Sequence, residues 1–197
     1  MFKYSMKHFY VCSYGGCGST LLANSLKQFG EVKHIHSRMP PRQLEYVGDI
    51  CYSEWFNGIK IPDNQLHEYY VIYIYKNPVK SILSRFININ RAAHLNHIQI
   101  DPTIKLIDVV KSQTDLYKIN EFYKNYTCNN NRNYKIYCIR YEDMFEKQNE
   151  ISELFGIGNL NLIKKERDIR TEHIDVLNRI YKDLNDKMRS NNWLMIV

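Results

Sequence analysis

The stretch best suited to chemistry is a cluster of glycines and hydroxyl side chains near the start of the chain. It comprises Gly15, Gly16, Cys17, Gly18, Ser19 and Thr20. It follows the apolar run Phe9–Cys12, which favours a buried strand, and precedes a helical pattern with Leu22 and Leu26 on one face. A glycine turn between a strand and a helix directs backbone N–H groups and the helix N-terminus at an anion. The pattern predicts phosphate binding; the alternative is a tight turn that binds nothing.

Two common nucleotide-binding loops do not fit this stretch. The hydrolase loop G-x-x-x-x-G-K-[ST] needs a lysine where Ser19 stands and a glycine where Ser13 stands. The dinucleotide pattern G-x-G-x-x-G fails because Leu21 takes the place of its third glycine. Cys17 lies near a helix N-terminus, which can lower a thiol pKa, but no arginine follows at the spacing of a cysteine phosphatase loop. Cys17 is therefore interpreted as a small residue that fits a tight turn.

Strand and helix patterns alternate along the chain and must position this loop. Further strands are expected at Val32–His36, Gly58–Pro62, Tyr70–Tyr75 and Tyr134–Ile139. Helical segments are expected from Ser19 to a stop at Gly30, at Pro41–Tyr46 (one turn), from Pro78, at Thr103–Tyr126, at Glu150–Phe155 before Gly156, and at Asp168–Arg189. The order predicts one α/β domain over residues 1–197, with three layers and a mostly parallel sheet flanked by helices. Ligands are expected at the carboxyl ends of the strands.

Composition restricts the class of protein. Of the 197 residues, 44% are hydrophobic, which favours a globular chain. The net charge of +6 favours anionic ligands but is too diffuse to indicate nucleic acid. No apolar segment is long enough for a signal peptide or a membrane span, and the five cysteines lack paired spacing, so a cytoplasmic location is expected. Abundant Asn, Ile, Lys and Tyr suggest an AT-rich genome, such as that of a large virus or protist.

Three motifs, in order, resemble those of sulfotransferases that use 3′-phosphoadenosine 5′-phosphosulfate (PAPS). Residues Ser13–Leu22 resemble the family's 5′-phosphosulfate loop, which usually reads T-Y-P-K-S-G-T-T-x-L. Lys76, before Asn77-Pro78, and Ser84, eight positions further on, resemble the 3′-phosphate site, where the family has arginine. A cation at a strand end and a hydroxyl two helical turns along can converge on one phosphate. Arg140–Met144 resembles the segment [x]-Y-E-D-[LM], whose tyrosine, here Tyr141, lies near the adenine.

The resemblance implies a P-loop NTPase-like sulfotransferase architecture and an enzyme. Such an enzyme transfers a sulfuryl group from PAPS to a hydroxyl or amine and releases adenosine 3′,5′-bisphosphate, without a metal. The acceptor would be a carbohydrate, a protein tyrosine or a small metabolite, and neither nucleic acid nor a membrane span is expected. The cofactor would be bound by Gly15–Thr20, Lys76, Ser84 and Tyr141. The sequence does not indicate the oligomeric state.

Two departures from the family concern catalysis. Gly16 stands where the family has a loop lysine or arginine, and the candidates to replace that cation are Lys60, Arg38 and Arg42. The family's K-T-H-L-P segment aligns with Gly58–Pro62, which puts Lys60 in the position of the catalytic histidine.

Histidine is the alternative base. His36 follows the second strand, and the ordinary histidine pKa suits general-base catalysis near neutrality. We rank it ahead of His34, which strand alternation is expected to point to the other face. His94 and His97 share the spacing of one helix face, but no further ligand accompanies them, so no metal site is expected.

Two other functions stay open. A degenerate relative would bind a nucleotide or a protein partner without catalysis; the missing cation at Gly16 favours it, and it predicts that Gly16→Lys restores some activity. A divergent P-loop kinase is disfavoured by the absence of a lysine after Gly18.

Overall fold

The computed structural model describes residues 6–41, 44–46, 59–60, 63–86, 95–96, 98–128, 132–164 and 171–197. Its strands are β1 (Lys7–Ser13), β2 (Gly30–Ile35), β3 (Glu45–Tyr46), β4 (Ile59–Lys60), β5 (Tyr69–Tyr75), β6 (Ile136–Arg140) and β7 (Leu194–Ile196). Its α-helices are α1 (Ser19–Leu26), α2 (Pro78–Phe86), α3 (Leu106–Ser112), α4 (Ile119–Thr127), α5 (Tyr141–Met144), α6 (Gln148–Phe155), α7 (Ile174–Ile180) and α8 (Lys182–Ser190). A 3₁₀ helix covers Asp63–Glu68.

Five strands form one mostly parallel sheet in the order β2-β1-β5-β6-β7. The pairs β1–β2, β1–β5 and β5–β6 are parallel, and β6–β7 is antiparallel. The chain passes from β1 to β2 on one side and later places β5 on the other side of β1. This reversal makes the carboxyl end of β1 a topological switch point, the usual ligand position in open α/β sheets.

Helices cover both faces of the sheet, which confirms the expected α/β layering. Alternate residues of β1 enter opposite cores because side chains of a strand alternate between its faces. Tyr10 and Cys12 belong to the core that includes residues of α2, α4, α7 and α8, whereas Phe9 and Val11 belong to the core with α1, α5 and α6. In the first core, Tyr73 stacks on Tyr126 with ring centres 4.5 Å apart. The central strands are thus buried on both faces, as their apolar runs predicted.

Several predicted elements differ in their bounds. The long helix expected over Thr103–Tyr126 is the pair α3 and α4, separated by residues with left-handed backbone at Gln113 (φ 53°) and Lys118 (φ 55°). The Asp115 carboxylate, between them, accepts hydrogen bonds from the N–H groups of Ile119 and Asn120 and so caps α4. The helix expected to end at Arg189 is likewise divided at Tyr181 into α7 and α8; its expected start, at residues 168–170, lies outside the described ranges.

Tertiary pairing explains three further corrections. Gly30 does not end α1; it opens β2 beside Lys7, whose carbonyl would collide with a Cβ at this position. Glu45–Tyr46 is a short strand paired with β4 instead of a helical turn. The sequence did not predict β7, which adds an antiparallel edge to the sheet. The helix expected to begin at Pro78 and the helix expected to end at Phe155 are both confirmed. Gly156 adopts the left-handed conformation (φ 56°) expected after a helix.

Candidate functional site

The loop between β1 and α1 has a backbone that favours glycine. Gly15, Gly16 and Gly18 have φ angles of 105°, 68° and 74°, all in the left-handed region. Gly18 precedes α1, and its carbonyl accepts hydrogen bonds from the N–H groups of Leu21 and Leu22, which close the first helical turn. The predicted strand, glycine turn and helix therefore occur together at the carboxyl end of β1.

The three glycines also allow other elements to approach the loop closely. A Cβ at Gly15 would collide with Nη1 of Arg85, and one at Gly18 would collide with the ring of Tyr141. A Cβ at Gly16 would lie 2.6 Å from the carbonyl oxygen of Ser81 and 3.1 Å from Cβ of Ser84. The loop is thus packed against α2 and the first residue of α5.

The second motif lies beside the third. Lys76 follows β5, and its Nζ atom lies 4.4 Å from the centre of the Tyr141 ring, a cation–π contact. The Asn77 side-chain oxygen accepts a hydrogen bond from the N–H of Lys80 at 2.9 Å and so caps α2. The N–H of Asn77 donates to the Glu142 carboxylate at 3.2 Å, which connects this turn to α5.

Most of the predicted cofactor residues therefore surround one loop. Tyr141 is 9% exposed and contacts both Gly18 and Lys76, while Ser84 is half-buried on α2 beside Gly16. Thr20 is exposed on α1. The structure brings together the three segments that the sequence presents separately.

Cys17 is a packing residue of the turn. Its thiol is 1% exposed, donates a hydrogen bond to the Gly15 carbonyl at 3.1 Å and lies 3.3 Å from Oγ of Ser81. Burial raises the pKa of the Cys17 thiol to about 11, so it is protonated at neutral pH. These contacts agree with the interpretation of Cys17 as a small turn residue and disfavour a nucleophilic role.

A chain of hydrogen bonds connects the loop to β2. The Ser13 hydroxyl donates to Oγ of Ser19 at 2.7 Å, and Nε2 of His34 lies 2.8 Å from the same Ser19 oxygen. Nδ1 of His36 lies 2.9 Å from the Ser13 carbonyl oxygen; since a carbonyl only accepts, this nitrogen carries the proton. Burial, with the nearby positive charges of Arg85 and Lys27, lowers the pKa of His34. The Ser19 oxygen accepts a hydrogen bond from Ser13 and lies within hydrogen-bond distance of His34, so Ser13, Ser19 and both histidines form one network.

The expectation that His34 points away from His36 is wrong. Residues two apart in a strand share a face, and the two imidazole rings lie 4.4 Å apart between centres. His36 keeps its predicted position beside the loop, and His34 joins it there.

Of the three candidates to replace the loop cation, the structure describes the side chain of Arg38. Lys60 lies in β4 opposite Glu45, but its side chain lies outside the described part of the structure, as do Arg42, His94 and His97. Arg38 forms an ion pair with Glu121 of α4, with Nε 3.6 Å from the carboxylate. At Gly16 a lysine side chain would meet the Ser81 carbonyl with strained backbone, so Gly16→Lys is not expected to restore activity.

The sequence interpretation missed Arg85, a charged residue packed against the loop at Gly15. Arg85 lies on the inner side of α2 with Ile82 and Phe86 and is only 4% exposed. Its guanidinium carbon lies 5.5 Å from the centre of the Tyr14 ring. The available signal was a charged residue three positions after Ile82, which is the spacing of one face of a helix.

Within the described ranges, no group of three or more His, Cys, Asp or Glu side chains could hold a metal ion. Among the helices of that same part of the chain, none combines the length and the apolar character needed to cross a membrane.

Comparisons of the chain with protein-family models, with curated proteins and with solved structures find no significant match. The function therefore has to be inferred from the residues around the glycine loop.

Proposed function

We propose that this chain is a sulfotransferase of P-loop-like architecture that transfers a sulfuryl group from PAPS to a hydroxyl or amine of an acceptor. The supporting observation is the convergence of three separate sequence motifs on one loop. Gly16 packs against Ser84, Gly18 packs against Tyr141, and Lys76 lies over the Tyr141 ring. Each motif alone has a structural explanation, but their convergence at a topological switch point is typical of a ligand site.

The proposed cofactor spans two anion sites. The 5′-phosphosulfate would lie on the backbone of Gly15–Thr20 at the N-terminus of α1, where the helix dipole favours negative charge. The 3′-phosphate would be bound by Lys76 at the end of β5 and Ser84 on α2, and Tyr141, which packs against Gly18 and Lys76, would lie near the adenine.

The proposed reaction is an in-line displacement at sulfur. The acceptor oxygen or nitrogen forms a bond to sulfur, while the bond between sulfur and the bridging oxygen of the 5′-phosphate breaks. That oxygen keeps the electron pair, and a base takes the acceptor proton. His36 is our first candidate for the base: with its proton on Nδ1, its acceptor lone pair is on Nε2. Lys60 is the second candidate. The acceptor is proposed to be a carbohydrate, a protein tyrosine or a small metabolite.

The location is part of the same proposal. The cysteines that the structure describes, Cys12, Cys17, Cys128 and Cys138, are free thiols. Free thiols are typical of a reducing compartment, which supports a cytoplasmic enzyme.

Calorimetric titration with adenosine 3′,5′-bisphosphate tests the proposal, with 5′-AMP and ATP–Mg²⁺ as comparison ligands. Lys76→Ala should weaken binding of the bisphosphate about tenfold or more, because it removes a charged partner of the 3′-phosphate. Binding of 5′-AMP, which lacks that phosphate, should change far less. Lys80→Ala is the matched control, because Lys80 is an exposed lysine four residues further along the chain, in α2. Equal losses for both ligands, or a preference for ATP, would contradict the proposal; the second result would favour a kinase.

A nucleotide-binding protein without catalysis is the second candidate function. The close packing of Gly16 against the Ser81 carbonyl supports it, because a loop lysine cannot be accommodated there. This function predicts selective binding of the bisphosphate and no sulfuryl transfer from PAPS to any acceptor class.

A further inference from the structure

Arg85 is held against the glycine loop by its surroundings. Its guanidinium lies where a side chain on Gly15 would otherwise begin, so it touches the backbone between β1 and α1. The guanidinium carbon is 5.5 Å from the Tyr14 ring centre and 5.8 Å from that of Phe86. Tyr14 is itself positioned, because its hydroxyl donates to the Tyr117 carbonyl at 3.1 Å and its ring packs edge-on against Phe86. The position of the guanidinium is therefore set by packed aromatic rings.

Arg85 is protonated and positively charged at neutral pH in spite of its burial. The groups that raise its pKa are Tyr14 and Cys17, which are uncharged at neutral pH because burial raises their own pKa values. Burial lowers the pKa of Arg85 to about 10, still well above neutrality. Its charge extends to the neighbouring site, where it contributes to the lowered pKa of His34. In this weakly solvated setting a positive charge acts more strongly on a nearby anion than it would in water.

We propose that Arg85 is the cation of the loop's anion site and contacts the phosphosulfate group bound at Gly15–Thr20. This inference rests on the proposed function. A glycine at position 15 lets the guanidinium approach the loop from α2, and with a glycine at position 16 the loop has no cationic side chain of its own. Arg85 would stay protonated through the reaction and donate hydrogen bonds to the phosphate oxygens as negative charge accumulates on the leaving group.

Titration with inorganic pyrophosphate and with adenosine 3′,5′-bisphosphate tests this role. Arg85→Met keeps the apolar volume and removes the charge, while Arg85→Lys keeps the charge. We expect Arg85→Met to weaken binding of both ligands about tenfold or more and Arg85→Lys to stay within about threefold of the original protein. Lys76→Ala should weaken only the bisphosphate. Lys80→Met, at an exposed position of the same helix, is the charge-removal control.

The outcomes separate the two proposals. Pyrophosphate binding that depends on Arg85, with no preference for the bisphosphate over 5′-AMP, would support the Arg85 inference and contradict the sulfotransferase. Selective bisphosphate binding that a folded Arg85→Met variant retains in full would overturn the Arg85 inference and leave the sulfotransferase supported. If the original protein binds neither ligand, both proposals fail.

A measurement on the unmodified protein covers the case in which Arg85→Met does not fold. The side-chain Nε–H resonance of Arg85, assigned with Arg85→Lys, should shift when pyrophosphate is added. The resonance of Arg132, which precedes β6 at the opposite edge of the sheet, should not shift. An unmoved Arg85 resonance at saturating pyrophosphate would overturn the inference.

Discussion

For a single residue, glycine can be required for two separate reasons: a left-handed backbone, or a lack of space for a side chain. Both Gly16 and Gly156 have a left-handed backbone. A Cβ added at Gly16 would lie 2.6 Å from the Ser81 carbonyl oxygen, whereas one added at Gly156 would meet Nζ of the flexible Lys7 side chain at 3.4 Å. The comparison between them separates backbone strain from steric exclusion. It also explains why the loop cannot take a longer residue in place of Gly16.

We predict that Gly16→Ala lowers the free energy of unfolding more than Gly156→Ala does. Gly156→Ala should lower the free energy of unfolding by about 1 kcal/mol through backbone strain. Gly16→Ala should lower it by about 2–4 kcal/mol, because α2 must also move. Urea denaturation of the two variants measures the difference. Equal decreases in the free energy of unfolding would mean that the contact with the Ser81 carbonyl does not affect stability.

The lowered pKa of His34 predicts how the free energy of unfolding depends on pH. Its pKa is lowered in the folded protein, so below the unfolded-state pKa of about 6.5 the unfolded chain binds a proton that the folded chain does not. Lowering the pH from 7.5 towards 5 should therefore reduce the free energy of unfolding through this group, and the loss should be complete below the folded-state pKa. His34→Gln should make the decline shallower, as measured by urea denaturation at several pH values.

At the scale of elements, the turn from β5 into α2 positions the second motif. Asn77 caps α2 through its side chain, its N–H donates to Glu142, and its amide group donates to Asn185 of α8 at 2.8 Å. Pro78 begins the helix, where its missing N–H has no consequence. Lys76 directly precedes this turn, so the cap sets the direction in which the chain leaves β5.

We predict that Asn77→Ala lowers the free energy of unfolding by about 1–2 kcal/mol, the usual effect of losing a helix cap. Asn77→Ser keeps a cap acceptor and should recover much of this loss. Thermal and urea unfolding measure both variants. A Ser variant as unstable as the Ala variant would show that the bond to Asn185, not the cap, is the important contact.

At the scale of the whole molecule, each of four parallel strands places one part of the candidate site at its carboxyl end. His36 follows β2, the glycine loop follows β1, Lys76 follows β5, and Tyr141 follows β6. Parallel strands end at the same edge of a sheet, so residues distant in the chain meet there. The antiparallel β7 closes the edge beside β6 and contributes no residue to this group.

The features that depend on residues close together in the chain could be predicted from the sequence. These are the glycine turn between β1 and α1, the buried strands, the start of α2 at Pro78 and the stop of α6 at Gly156. They could be predicted because backbone preference and hydrophobic periodicity act over a few positions. The breaks between α3 and α4 and between α7 and α8 were not predicted, because apolar periodicity continues across the turns that interrupt them.

Which side chains meet at the loop depends on tertiary packing and could not be predicted. The contact of Arg85 with Gly15, the pairing of His34 with Ser19 and the addition of β7 all join segments far apart in the chain. Such contacts depend on how α2 and β2 pack around β1, and hydrophobic periodicity cannot distinguish a buried guanidinium from a surface one. The loop's chemistry can be predicted from its glycines, but its positive charge comes from a helix that only folding brings to it.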